Sequence, residues 1–231
     1  MLIDLHAHTS GISKCCRIDA PKVVAEAKAA GLDGIVLTNH YQNSYIHDGM
    51  LMQFVEDYVA EYEYTKKCGE EIGCKVFFGI EITMELYPKV HMLVYGVTPD
   101  FLRENPTVFE KTQEELYALV KANGGTLVQA HPFRGGTTVL DTAYLDGVEI
   151  NCHPKYKTTC KEQLGVVYSY GVAICYRRHT YLVFKGFFHI GHTHGRHGGK
   201  FLCRSAQVVE LVEVVEGVFD FADTTATHSK A

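Results

Sequence analysis

His6 and His8 stand two residues apart at the end of the apolar segment Leu2-Ile3-Asp4-Leu5. On a strand, residues i and i+2 face the same way, so both imidazoles can reach one point. That geometry suits a metal ion, because neutral imidazole and carboxylate are the usual ligands of zinc, manganese and iron in hydrolytic sites. The same residue types recur on other apolar runs: His40 after Gly34–Thr38, Glu81 in Lys75–Ile82, His91 in Val90–Tyr95, and His131 closing Thr126–His131. A lone strand-end His is ordinarily a hydrogen-bonded core or loop residue. Their recurrence points instead to convergence on one metal cluster, which would hydrolyse a phosphate ester. Glu81 is the natural bridging ligand, since a carboxylate can span two cations roughly 3.5–4 Å apart.

The elements that must position these residues can be read from the pattern. Pro21 to Ala30 predicts a helix, with proline in the first turn and Gly31 ending it. Gly34 to Thr38 is an unbroken apolar strand of the kind covered on both faces in a parallel sheet. Gln53 to Glu71 predicts a long helix with an apolar stripe, and Pro106 to Ala122 another, ended by Asn123-Gly124-Gly125. Strands follow at Thr126–His131 and Gly147–Ile150, then a helix around Cys160 to Ser169 and a seventh strand at Gly171–Cys175. Strands alternating with helices imply parallel pairing and right-handed crossovers. Seven such units predict a closed or nearly closed βα barrel, an α/β fold whose chemistry sits at the C-terminal ends of the strands.

The chain has 231 residues, the size of one large α/β domain, so residues 1–231 are read as a single domain. A net charge of -5 gives no reason to expect nucleic acid or an anionic membrane as a partner. No apolar run is long enough for a membrane span, and no basic segment precedes an apolar one at the start. The expectation is a soluble, cytoplasmic protein. Eight cysteines without a CxxC pair read as reduced thiols rather than a disulfide framework. Histidine is the outlier, with thirteen.

Asp4-Leu5-His6-Ala7-His8-Thr9-Ser10 resembles the first motif of the polymerase and histidinol phosphatase (PHP) superfamily. Leu37-Thr38-Asn39-His40 resembles its second, usually T-D-H. Gly79-Ile80-Glu81, Ala130-His131-Pro132 and Gly147-Val148-Glu149-Ile150-Asn151 match later ones, all in order up to about residue 175. The resemblance implies a distorted (β/α)7 barrel, two or three divalent ions (Zn, Mn or Fe) and phosphoesterase activity. Carried over, His6, His8 and Glu81 would hold a first metal, and Glu81, His91 and His131 a second. His40 would belong to a third. Catalysis would rest on Glu81, His131 and Arg134. Arg134 and Arg17 are the candidates for gripping phosphate oxygens, which a guanidinium fork fits.

The sequence also departs from the family. Asn39 replaces the usual Asp, a change expected to affect support rather than ligation. Lys14 stands where many relatives carry another His. Cys15 and Cys16 are adjacent, and thiolate is a soft ligand; the plainer reading is two loop or buried thiols. The family's last motif, G-x-D-x-H or similar, should follow the seventh strand, but no acidic residue occurs from Tyr176 to Val209. The tail is therefore atypical from about residue 176. His192 and His194 in Gly191-His192-Thr193-His194-Gly195 have the D-x-H spacing and are candidate metal ligands; His179 after Arg177-Arg178 is another. Read one nucleotide later, codons permitted by Tyr176 to Tyr181 can spell Thr-Gly-Asp-Thr-His, so a shifted reading frame is a third account.

The expected function is hydrolysis of small phosphate monoesters, histidinol-phosphatase-like, with a phosphate ester or inorganic phosphate as the partner. The alternatives are a degenerate metal- or ligand-binding barrel without turnover, and a metal-dependent amidohydrolase.

Overall fold

The computed structural model describes residues 2–132, 134, 137–151, 175–177 and 180–184. Nine strands form one sheet: β1 (Ile3–Ala7), β2 (Gly34–Leu37), β3 (His40–Tyr41), β4 (Lys75–Thr83), β5 (His91–Tyr95), β6 (Thr126–Ala130), β7 (Gly147–Asn151), β8 (Cys175–Arg177) and β9 (Thr180–Phe184). Their order is β1-β2-β4-β5-β6-β7-β9-β8, with β3 beside β4. Four helices connect them: α1 (Ala20–Ala29), α2 (Leu51–Ile72), α3 (Asp100–Glu104) and α4 (Gln113–Ala122). No described helix is long and apolar enough to cross a membrane.

Local chemistry explains the helix ends. Asp19 caps α1 by accepting from the Lys22 N–H, and Pro21 sits in the first turn. Helix α2 ends at Gly73, whose φ of 68° is a left-handed conformation that favours glycine. The helix expected over Pro106 to Ala122 begins only at Gln113. Thr112 and Glu115 form a capping box there, and the stretch before it carries a single turn at Val108–Glu110. The expected helix near Cys160 to Ser169 lies outside the described residues, as do Gly171 to Ile174 of the seventh strand; Cys175 opens β8.

The parallel pairing expected from strands that mostly alternate with helices is corrected in one decisive place. β1, β2, β3, β4, β6 and β7 run in the same direction, but β5 is antiparallel to both β4 and β6. The β4–β5 connection is short and carries no helix, so β5 returns alongside β4 as a hairpin partner. β9 is likewise antiparallel to β7.

The sheet curls into a half-barrel. The Tyr95 hydroxyl on β5 donates to the Leu5 carbonyl on β1 at 3.0 Å, although β2 and β4 lie between those strands. His6 on β1 reaches Glu149 on β7. Inside the curl, Val36, Leu93, Tyr95, Val128 and Ala130 form a small apolar core. A larger core lies between the sheet and its helices, with Val24, Val55, Tyr58, Ile80 and Leu116 buried. The result is a mixed α/β fold with one concave mouth.

Helix α2 braces that mouth from below. The buried Tyr58 hydroxyl donates to the carbonyls of Asn39, at 2.7 Å, and Gly79, at 3.1 Å. Those residues precede His40 and Glu81. At Gly79 a side chain would collide with Val36 and Thr38, at 2.7 and 2.8 Å, so β4 can approach β2 this closely only with glycine there. Tyr58→Phe is expected to lower stability by about 1 kcal/mol, read by chemical denaturation; the exposed Tyr64→Phe should change nothing measurable.

Candidate metal centre

Glu81 is fully buried in β4, and both of its carboxylate oxygens are surrounded by imidazole nitrogens. Around Oε2 lie His6 Nε2 and His8 Nε2, each at 3.3 Å, and His40 Nδ1 at 3.1 Å. Around Oε1 lie His91 Nδ1 at 2.8 Å and His131 Nε2 at 3.1 Å. The sequence elements explain the convergence. His6 points inward near the end of β1, and His8 lies just beyond that end. His40 opens β3, which pairs with β4 so that His40 sits opposite Glu81. His131 follows β6. His91 opens β5, and it reaches the same mouth because that strand is reversed.

Donor atoms of His6, Glu81 and His131 lie within 4.8 Å of one another, and so do those of His8, His40 and Glu81. The expected pairs His6 with His8 and His91 with His131 share the Oε2 and Oε1 sides of Glu81, and these two triads cut across them. His40, expected at a third ion, stands beside His8 at the Oε2 side. His91 meets Glu81 without belonging to either triad. His192 and His194 lie outside the described residues.

The ionisation of the cluster follows from burial and charge. Burial alone would push the Glu81 carboxyl up, but the His6 charge and the hydrogen bonds from His131 and His91 hold it well below the usual carboxylate range. Burial works against a charged His6 too, yet the Glu149 and Glu81 carboxylates raise it well above the usual imidazole value. His8 is pushed down to about 3, by burial and then by the His6 charge. His40 is lowered to about 4, chiefly by burial. Near neutral pH, His8 and His40 are therefore uncharged and keep a lone pair for a cation.

Two outer residues that sequence reasoning missed fix the rings. Glu149 Oε1 accepts from His6 Nδ1 at 2.9 Å, so that nitrogen carries a proton and Nε2 is turned to Glu81. Glu149 Oε2 accepts from the backbone N–H of His131 at 2.8 Å. His131 has a φ of 29°, a strained value for a residue other than glycine, and this bond helps hold it there. The available signal was one acid inside the apolar run Gly147-Val148-Glu149-Ile150. Ser13 is the second. Its hydroxyl donates to Asn39 Oδ1 at 2.8 Å and its oxygen accepts from the His40 N–H at 3.0 Å. The hydroxyl proton being committed to Asn39, the 3.2 Å contact with His8 Nδ1 must be donated by the ring, which leaves His8 Nε2 free for ligation. Asn39 acts on the cluster through Ser13 and also exchanges two hydrogen bonds with Thr9. No sequence pattern marked Ser13.

The cluster floors a cavity of about 720 Å³, within the size range of small-molecule sites. Arg134 lines it. Arg17, exposed on the loop after Cys16, does not. Cys15 lines the cavity, whereas the Cys16 thiol is turned to the carbonyls of His8 and Ile18.

No family model matches the chain, and no curated protein does. Among solved structures, PsfC from Pseudomonas syringae PB-5123 is similar, with a TM-score of 0.52 at 19% identity over 73% of this chain and 72% of that one. At that identity the likeness shows the fold alone. A slighter one, TM-score 0.34 at 16% identity over 58% of this chain and 68% of that one, is to an amidohydrolase from Chromobacterium violaceum solved with bound sulfate and no metal. It is too slight to bear on fold or function.

The Glu149 bonds give a direct test. Glutamine at 149 can accept from His6 or from the His131 N–H, but not from both. Glu149→Gln should weaken zinc binding roughly 10- to 100-fold, measured by competition with a chromophoric chelator.

Proposed function

We propose that this protein is a metal-dependent phosphoesterase of the PHP type, acting on phosphate monoesters of small metabolites. The observation that carries the reading is the two-sided surrounding of Glu81. Its Oε2 and His40 Nδ1 are buried and make no hydrogen bond, although ring nitrogens stand 3.1–3.3 Å from the carboxylate oxygen. Ligands of one tetrahedral ion with bonds of about 2.0–2.1 Å are separated by roughly 3.3–3.4 Å. The spacing that fails as hydrogen bonding therefore fits donors gathered around a cation.

His6, Glu81 and His131 would hold one ion, and His8, His40 and Glu81 a second, with His91 adding a donor on the Oε1 side. Bound divalent ions would supply charge for the phosphate oxygens and make water nucleophilic near neutral pH. The chain does the rest. Glu81 joins the two donor sets, Glu149 and Ser13 keep His6 and His8 turned to them, and Arg134 offers its fork at the cavity wall. Membership of the PHP superfamily, closure of the half-barrel into a distorted (β/α)7 ring and the choice among zinc, manganese and iron belong to this proposal. So does a cytoplasmic enzyme with a small phosphate ester, rather than nucleic acid or a membrane, as its partner.

The acid-free run from Tyr176 to Val209 favours one other reading, a barrel that binds metal or ligand without turnover. Purified protein separates the two. Phosphoesterase activity predicts bound metal and hydrolysis of an aryl phosphate that chelator abolishes, with Glu81→Gln lowering turnover by orders of magnitude. Stoichiometric metal with no hydrolysis across a broad phosphate panel would instead favour binding alone.

A further inference from the structure

Among the described residues, three side chains outside the His/Glu cluster line the cavity: Cys15, Lys89 and Arg134. Two of them are cations. Lys89 lies two residues before β5, and Arg134 four residues after β6. In the antiparallel register His91 pairs with Ala130, so the chain leading into His91 runs beside the chain leaving Ala130. Lys89 and Arg134 therefore share one edge of the mouth, above the side where His91 and His131 meet Glu81 Oε1.

Lys89 has no hydrogen-bond or ion-pair partner among the described residues. Lys22, Arg103 and Lys121 each pair with a carboxylate, and Lys28 donates to the Gly73 carbonyl. The cavity's two carboxylates cannot serve Lys89, because Glu81 and Glu149 are buried and committed to imidazoles and to the His131 N–H. Among the described residues, then, this cavity-lining ammonium meets no counter-charge, which an anion from solution can supply.

We propose that Lys89, with Arg134, forms an oxyanion-holding edge, and that Lys89 determines specificity for a dianionic phosphate monoester over a monoanionic diester. The anion-binding half stands on the geometry above; the monoester half rests on the phosphoesterase reading. A point-charge ammonium favours the ligand with more charge, and a diester carries one fewer ionisable oxygen. Lys89 is a binding group at the edge, so its removal should act on affinity and leave the metal cluster intact.

The test uses the full chain loaded with zinc and titrated with inorganic phosphate by calorimetry. Lys89→Gln should weaken phosphate binding about tenfold, the scale of one charge-assisted hydrogen bond, with zinc content unchanged. Lys89→Arg should retain most of the binding, and Lys67→Gln, an exposed lysine on α2, all of it. On an aryl phosphate monoester, Lys89→Gln should raise KM by a similar factor with kcat little changed, and should narrow the preference for monoester over diester. Equal phosphate binding in wild type and Lys89→Gln would overturn the edge, as would wild-type protein that binds no phosphate. Lys89-dependent phosphate binding without hydrolysis of any ester would sink the phosphoesterase reading and the monoester half, and leave the edge standing. Hydrolysis with a Lys89→Gln variant indistinguishable from wild type would do the reverse.

Discussion

One ionised carboxylate, Glu81, sits at zero exposure inside the curl of the sheet, and most of the mouth is arranged around it. An unpaired charge in that position would cost several kcal/mol. It is tolerated because five imidazoles from four chain segments, in or beside β1, β3, β5 and β6, close on its two oxygens. β1 and β6 are not neighbours in the sheet, so the sheet must curl for His6 and His131 to meet at Glu81. The curl, the Gly79 approach and the Tyr58 brace all serve that meeting. The cluster is thus a constraint on the fold as much as a product of it.

The reversed strand is the least expected consequence. In an all-parallel sheet, a residue that opens a strand lies at the opposite end from residues that close its neighbours. His91 opens β5, and Glu81 and His131 lie near the other end of β4 and just past β6. Reversing β5 is what brings His91 against Glu81 and carries the preceding segment, with Lys89, to the same rim. Apolar runs covered on both faces read alike in either direction, so strand polarity could not be taken from the sequence. The short β4–β5 connection was the available clue, since a parallel crossover needs a dozen or more residues.

What the sequence made legible was local. His6 and His8, the unbroken strand at Gly34, the glycine stops and the run ending in His131 all follow from spacing and propensity, and the structure has these elements close to where the pattern puts them. What it left hidden was pairwise. Nothing in the spacing brings His6 within reach of His131, because that depends on how far the sheet curls. Ser13 is one serine among turn residues until its oxygen is seen between Asn39 and two histidine segments. Arg17 and Arg134 looked equivalent as loop cations; only the path of the backbone after β1 and β6 separates them.

The outer contacts also bear on which ions such a site suits. A histidine that can rotate or change tautomer is a poor discriminator, since it adapts to whatever arrives. Here Glu149 holds His6 and Ser13 holds His8, so the two rings at the end of β1 present Nε2 and no other donor. Five imidazoles against one shared carboxylate form a nitrogen-rich set, and imidazole suits zinc or iron, whereas magnesium and calcium prefer oxygen donors. Fixed tautomers sharpen that preference, because an oxygen-seeking ion gains nothing from a ring that cannot turn away. Selectivity at this mouth would then reside less in Glu81, which any divalent ion accepts, than in the two hydrogen bonds behind the histidines.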